Sequence, residues 1–319
     1  MSALLRQLAL VSESKQIKTK DVMSVAAAMQ KQATRDLGPI WEVSATVDAV
    51  DTLEDVPLGY WPLLVMDDIG QEGAAGVHLD KDNQPFALIT ASSDLDTWSL
   101  TASHEMMEML VDPFGNRLMA GDSPKTDQGR VEFLVEVSDP SEATEFAYSV
   151  NGILVSDFYT PNYFDPVTAP GVRYSFTGAI TEPRQVLPGG YLSWHDPPSD
   201  HWWQEIFFGG SEPTFRDIGQ LDAKGGSLRA QIDRITAVDQ AKAMAAGRSA
   251  ARVAGLAAAV VRQSCSSKAT HWREQISQIL GRPSRVDTQR PRRGEAERTR
   301  RAERQALQLR RAGRVWSND

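Results

Sequence analysis

The sequence predicts an α+β fold followed by a mostly helical C-terminal region. Three observations lead there. Short runs between Trp41 and Thr90 carry strand-type alternation or continuous apolar character, separated by turn residues. One long helical stretch, rich in Met and Leu, covers Ser93 to Met109. From Ser227 to Ser264 the composition shifts to Ala and Arg without Pro, which favours helix. Of the 319 residues, 41% are hydrophobic and 24% charged, enough for a core and unlike a wholly disordered chain.

The elements follow in order. Asp21 to Asp36 reads as an amphipathic helix, capped by Thr19 or Asp21 and stopped by Gly38-Pro39. Trp41 to Val50 alternates as a strand, and Tyr60 to Met66 is a more buried one. Ala74 to His78 and Pro85 to Thr90 are two further strands joined at the turn-rich Asp80-Lys81-Asp82-Asn83. The long helix is entered near Ser99 or Thr101 and ended by Pro113. Arg130 to Val137 is a strand with Val131, Phe133, Val135 and Val137 on its apolar face. Asn151-Gly152 marks a tight turn before the strand Ile153 to Ser156. Residues 159–213, rich in Pro, Gly and aromatics, read as loops with short strands at Val172 to Phe176 and Gly189 to Trp194. A domain over residues 1–214 and a helical region over 215–319 are expected, and no repeat is evident.

Composition narrows the class of protein. No window approaches the roughly 18 apolar residues of a membrane span. Met1 to Leu10 has one Arg inside a short apolar run and no cleavage-like site, so no secretory signal is expected. The single Cys265 excludes an internal disulfide and fits a reducing, cytoplasmic setting. It also leaves any metal to His and carboxylate ligands. Charge is uneven. Residues 281–319 hold 12 Arg, no Lys and 5 acidic residues, net +7; the other 280 hold 22 basic and 37 acidic residues, net −15. Such a tail could contact nucleic acid or, more blandly, be a solvated segment; base-stacking aromatics are absent from it until Trp316.

The chemistry concentrates in Ser103-His104-Glu105-Met106-Met107-Glu108-Met109-Leu110-Val111-Asp112-Pro113. On a helix His104 and Glu108 lie about 40° apart around the axis, so both can reach one cation. In the zinc-protease helix the first His and the residue four later bind metal, and the intervening Glu takes a proton from the water the metal activates. Here the second His of that pattern is Glu108, which adds negative charge and admits Mn or Fe as well as Zn. A third ligand is required. Glu136 and Asp139, in Glu132-Phe133-Leu134-Val135-Glu136-Val137-Ser138-Asp139, are favoured over Asp112, which lies about 80° off the His104 face.

Taken together, Gly76-Val77-His78, Pro85-Phe86-Ala87, the HExxExxxDP helix from His104 to Pro113 and the ExxD segment Glu136 to Asp139 resemble a group of zincin-type predicted metallopeptidases of bacteria and phages. The resemblance covers roughly residues 10–210. It implies a zincin-like mixed sheet beside an active-site helix, a divalent metal, most simply Zn2+, at His104 and Glu108, and Glu105 as general base.

Other residues carry two readings each. His78 ends a strand and is either an oxyanion stabiliser or a surface histidine; Tyr159 is either an oxyanion stabiliser or, like Tyr163, packing. His195 and His201 sit among Trp194, Trp202 and Trp203, as ligands or as part of a packed aromatic loop. His271 and Cys265 receive no role. No phosphate-binding glycine pattern is present: Pro188-Gly189-Gly190-Tyr191 reads as a turn before a strand, and Gly209-Gly210 and Gly225-Gly226 as linker or helix-entry elements. Three functional expectations result. The first is a cytoplasmic metal-dependent hydrolase, most simply a peptidase acting on a peptide or protein substrate held by the edge strand near Gly73 to His78. The second is a catalytically inactive binding or structural protein on the same scaffold, oligomerising through its C-terminal helices. The third is nucleic-acid association through residues 281–319.

Overall fold

The computed structural model describes residues 4–71 and 74–236, which belong to one unit. The expected α+β character is present, as two five-stranded sheets, one small hairpin and few helices.

The first sheet has the order β2-β1-β3-β5-β4. Strand β1 (Leu5–Ser12) runs parallel to β2 (Ser44–Ala49) and to β3 (Trp61–Met66). The N-terminal apolar run is thus a strand. Leu8, Ala9, Leu10 and Val11 are all fully buried, the continuous apolar pattern expected where a parallel strand is covered on both faces. Strand β5 (Gln84–Thr90) is parallel to β3, and β4 (Gly76–Lys81) returns antiparallel to form the edge. The β4–β5 connection turns at Asp82 and Asn83, both with positive φ, residues that tolerate the left-handed region.

Helix α1 (Thr19–Lys31) packs on β1 and β2. The stop expected at Gly38-Pro39 is not taken. The chain passes through a wide π-helical turn (Gln32–Leu37) into a further turn, α2 (Gly38–Trp41), and ends at Glu42 in the left-handed region. Proline is tolerated because it stands in the first positions of α2, where its missing N–H has no intrahelical partner to lose. Trp41 therefore closes a helix instead of opening a strand, and its indole N–H donates to the Tyr159 carbonyl at 2.9 Å.

Helix α3 (Leu95–Val111) begins four residues before the earlier of its two expected entries. Asp94 caps it, accepting from the Asp96 N–H at 3.3 Å and the Thr97 hydroxyl at 2.9 Å. Its thirteen buried residues include Met106, Met107, Met109 and Leu110, and also His104, Glu105 and Glu108. It is covered by β4 and β5 and by the hairpin of β8 (Tyr148–Val150) and β9 (Ile153–Val155), whose turn uses positive φ at Asn151 and Gly152.

The second sheet has the order β12-β11-β10-β7-β6 and is antiparallel throughout. Its strands are β6 (Leu118–Asp122), β7 (Arg130–Leu134), β10 (Tyr191–Asp196), β11 (His201–Ile206) and β12 (Thr214–Gly219). The strand expected to run to Val137 ends at Leu134, and the Val135 N–H bond to the Arg117 carbonyl at 2.9 Å is a last rung in the β6–β7 register. The strand expected at Val172 to Phe176 is reduced to a single bridge between Tyr159 and Ser175. The boundary expected at residue 215 falls inside β12, and residues 228–236 are helical and packed on this same unit through Ile232, Leu134 and Trp202. The remaining helical expectation, the Arg-rich tail, His271 and Cys265 lie outside the described residues.

Candidate metal centre

The site forms where three segments meet: the second half of α3, the segment that departs from β7, and β4. Burial of α3 on all sides brings charged side chains into the interior, so each needs a partner. Beyond the last rung at Val135 the chain turns away from β6, and the Ser138 N–H donates to Glu108 Oε1 at 3.2 Å. That contact brings Asp139 to the helix. His104 Nε2 lies 3.3 Å from Glu108 Oε1 and 3.3 Å from Asp139 Oδ1. Donors about 2.1 Å from a tetrahedrally held ion stand about 3.4 Å apart, so these three side chains have the spacing of a coordination shell. Asp139 Oδ1 is buried and faces His104 Nε2 without a well-formed hydrogen bond.

Among the favoured third ligands, the structure brings Asp139 to His104, while Glu136 turns to a cation the sequence did not suggest. Arg229, from the helical segment after β12, buries its guanidinium against Glu136 and Glu108, with Glu108 Oε2 2.7 Å and Asp139 Oδ2 3.7 Å from Nη1. Its Nε donates to Asp233 at 3.1 Å. Backbone contacts lock that turn in place: the Arg229 N–H donates to the Gly115 carbonyl and the Leu228 N–H to Asn116 Oδ1. Asp112 is used elsewhere, accepting the Arg117 N–H at 2.7 Å.

His78, far from being a surface residue, is 1% exposed. Its Nε2 lies 3.1 Å from the Asp112 carbonyl, which can only accept, so the proton sits on Nε2. Its Nδ1 has no hydrogen-bond partner and faces Glu105 Oε2 at 3.6 Å and Glu108 Oε2 at 3.7 Å. Glu105 therefore lies on the β4 side of Glu108. It is pressed against Gly76, where an added Cβ would stand 2.7 Å from Glu105 Oε1 and 2.6 Å from the Thr101 methyl.

The electrostatics match a site built for positive charge. Burial pushes the Asp139 carboxyl up, to about 7, and the Glu108 charge adds to the rise. Burial likewise carries Glu136 well above the carboxylate range, against the pull of Arg229. Burial opposes the His104 imidazolium, yet Glu108 and Asp139 outweigh it and hold its pKa well above the usual value. For Glu108, burial is overcome by Arg229 and His104, which keep it charged.

The other weighed residues separate clearly. Tyr159 is fully buried and its hydroxyl has no hydrogen-bond partner. Burial raises its pKa well above the usual value, and the Tyr163 ring and the charges of Glu136, Asp139 and Glu108 add to the rise. Tyr163 stacks on it and donates to the Gln185 carbonyl at 3.2 Å, a packing role. His195 pairs with Glu132 and Asp200 and stacks on Trp202, and His201 pairs with Asp217, so neither joins the centre. Arg229 was hidden because it lies 121 residues from Glu108 in the chain, in a stretch with the composition of a solvated helix. His78 carried a signal, a histidine on a strand beside the motif helix, but not its direction.

The chain matches no protein-family model, no curated protein and no solved structure. No helix among the described residues is long and apolar enough to cross a membrane.

Proposed function

We propose that this protein is a divalent-metal-dependent hydrolase of zincin-like build, acting on peptide bonds. The observation that carries this is the meeting of His104 Nε2 with Glu108 Oε1 and Asp139 Oδ1 at 3.3 Å each. These three residues would hold the ion, with Zn2+ the first choice and Mn2+ or Fe2+ compatible with one imidazole and two carboxylates. Such an ion polarises a carbonyl and acidifies water.

The protein's own groups supply the rest. Glu105, buried and next to the ligand His104, takes the proton of the attacking water and returns it to the leaving amine. Tyr159, whose buried hydroxyl has no hydrogen-bond partner and whose backbone N–H bonds the Val137 carbonyl two residues before Asp139, would donate to the oxygen that becomes negative. Strand β4 is a sheet edge packed against α3, and its unpaired main-chain groups suit an extended peptide laid along it. The test is metal analysis of the purified full chain, then hydrolysis of a peptide library by the wild type and Glu105→Gln. Metal-dependent cleavage abolished by Glu105→Gln supports the reading; no uptake of Zn2+, Mn2+ or Fe2+ overturns it.

One observation favours a second reading, a catalytically silent scaffold. Arg229 already places a permanent cation against Glu108, Glu136 and Asp139. If that guanidinium replaces the metal, the cluster is structural and the protein acts through its surfaces. Association with nucleic acid and oligomerisation through the C-terminal region belong to residues outside those described, and are tested by salt-dependent binding and by mass measurement with and without residues 281–319.

A further inference from the structure

Glu108 has two oxygens, and they face different clusters. Oε1 faces His104 and, with Asp139, completes the group described above. Oε2 faces His78, and His78, Glu105 and Glu108 form a second group whose ligand atoms all lie within 4.8 Å of one another. All three residues are at least nine-tenths buried, at 1%, 3% and 0% exposure.

We propose that His78, Glu105 and Glu108 hold a second divalent cation, making the centre a two-metal site bridged by the Glu108 carboxylate. Acidic groups alone would not argue this; the histidine does. The Asp112 carbonyl fixes the proton on Nε2, so the buried Nδ1 presents its lone pair to two carboxylate oxygens that also carry lone pairs. Three acceptors converging in a dry interior need positive charge between them. A proton on Nδ1 serves this poorly, because Glu105 Oε2 at 3.6 Å and Glu108 Oε2 at 3.7 Å lie beyond hydrogen-bond range. A cation about 2.1 Å from each donor fits those spacings directly. A backbone carbonyl on the far ring nitrogen is also the usual device for orienting a metal-bound imidazole. Arg229 Nη1 occupies one lone pair of Glu108 Oε2 at 2.7 Å and leaves the other.

Bridging through the two oxygens of one carboxylate holds ions about 3.5–4 Å apart, the separation at which a pair clamps both the attacking and the leaving oxygen of a hydrolysis. Glu105 keeps its role in the proposed reaction. Coordination through Oε2 leaves Oε1, on the Gly76 side, to accept the proton. The donor set suits Zn2+ or Mn2+.

This inference rests on the reading of an ion at His104, Glu108 and Asp139, and the experiment separates the two. The full chain, stripped with chelator, is titrated with Zn2+ and its stoichiometry read by native mass spectrometry. The same titration with Mn2+ is followed by electron paramagnetic resonance. Wild type is expected to bind two ions, with the spin-coupled signal of a manganese pair. His78→Asn and Glu105→Gln each retain one ion with an uncoupled signal, and Asp139→Asn also loses one. The near-isosteric Glu105→Gln keeps the test decisive if His78→Asn does not fold, as judged by circular dichroism. One ion in wild type, lost in Asp139→Asn and kept in Glu105→Gln, overturns the second site and leaves the first standing. No ion in wild type overturns both.

Discussion

Replacing Arg229 by methionine asks what the buried cluster needs. Arg229 is 4% exposed and, among the described residues, is the only permanent cation paired with Glu108, Glu136, Asp139 and Asp233. Methionine keeps an apolar stem of similar reach and removes the charge, taking the guanidinium from Glu136 and Asp233 and leaving Glu108 and Asp139 to His104. Breaking a buried ion pair from one side costs about 3–5 kcal/mol. For a unit of this size each kcal/mol moves the midpoint by about 2–4 °C, so a fall of roughly 6–20 °C is expected in chelator. A divalent ion restores positive charge at the same oxygens. At 1,000 times its Kd it stabilises the native state by about 4 kcal/mol, enough to recover most of that loss. The assay is thermal unfolding of the full chain, wild type and Arg229→Met, in chelator and across a Zn2+ or Mn2+ titration. A variant that loses stability and regains none with either ion would refute the claim that the cluster is a cation site. An unchanged midpoint in chelator would refute the role given to Arg229.

Further predictions concern single side chains. Gly76→Ala places a Cβ 2.7 Å from Glu105 Oε1 and 2.8 Å from its Cγ, so it should cost about 1–3 kcal/mol by overpacking and cut peptide cleavage at least tenfold, read by denaturant unfolding and steady-state kinetics. Tyr159→Phe should lower kcat by about 100-fold with metal stoichiometry unchanged; equal kcat would remove Tyr159 from the reaction. Glu205, on β11, is 7% exposed, and burial raises its carboxyl from 4.5 to about 7. The native state then keeps a proton the unfolded chain has lost, so stability falls as pH rises from 4.5 to about 7 and is level above, by about 3 kcal/mol in all. Glu205→Gln should flatten that slope and be the more stable protein at neutral pH; parallel pH profiles would contradict the assignment.

Local chemistry made much of this legible in advance. Strands β3, β4 and β5, the β4–β5 turn and the body of α3 follow from alternation, apolar runs and turn residues, which act over a few neighbours. The pairing of His104 with Glu108 follows from helix geometry alone. The misreadings were of a different kind. Pro39 signals a stop, but the π-helical turn before it resets the hydrogen-bond register and lets the helix run on to Trp41. Residues 130–137 alternate as a strand, yet the ladder ends at Val135, and beyond it Glu108, from elsewhere in the chain, takes the Ser138 N–H next to Asp139. Choosing among Glu136, Asp139 and Asp112 needed those long-range bonds. So did finding Arg229 and the inward direction of His78. Nothing within a few residues of Arg229 marks it as part of the centre.

The most direct test of the central claim is an anomalous-difference map, at the zinc absorption edge, of a crystal of the full chain equilibrated with Zn2+. The account predicts a peak about 2.0–2.2 Å from His104 Nε2 and from one carboxylate oxygen each of Glu108 and Asp139. A map with no peak at His104, with Arg229 still seated against Glu108 and Glu136, would contradict it.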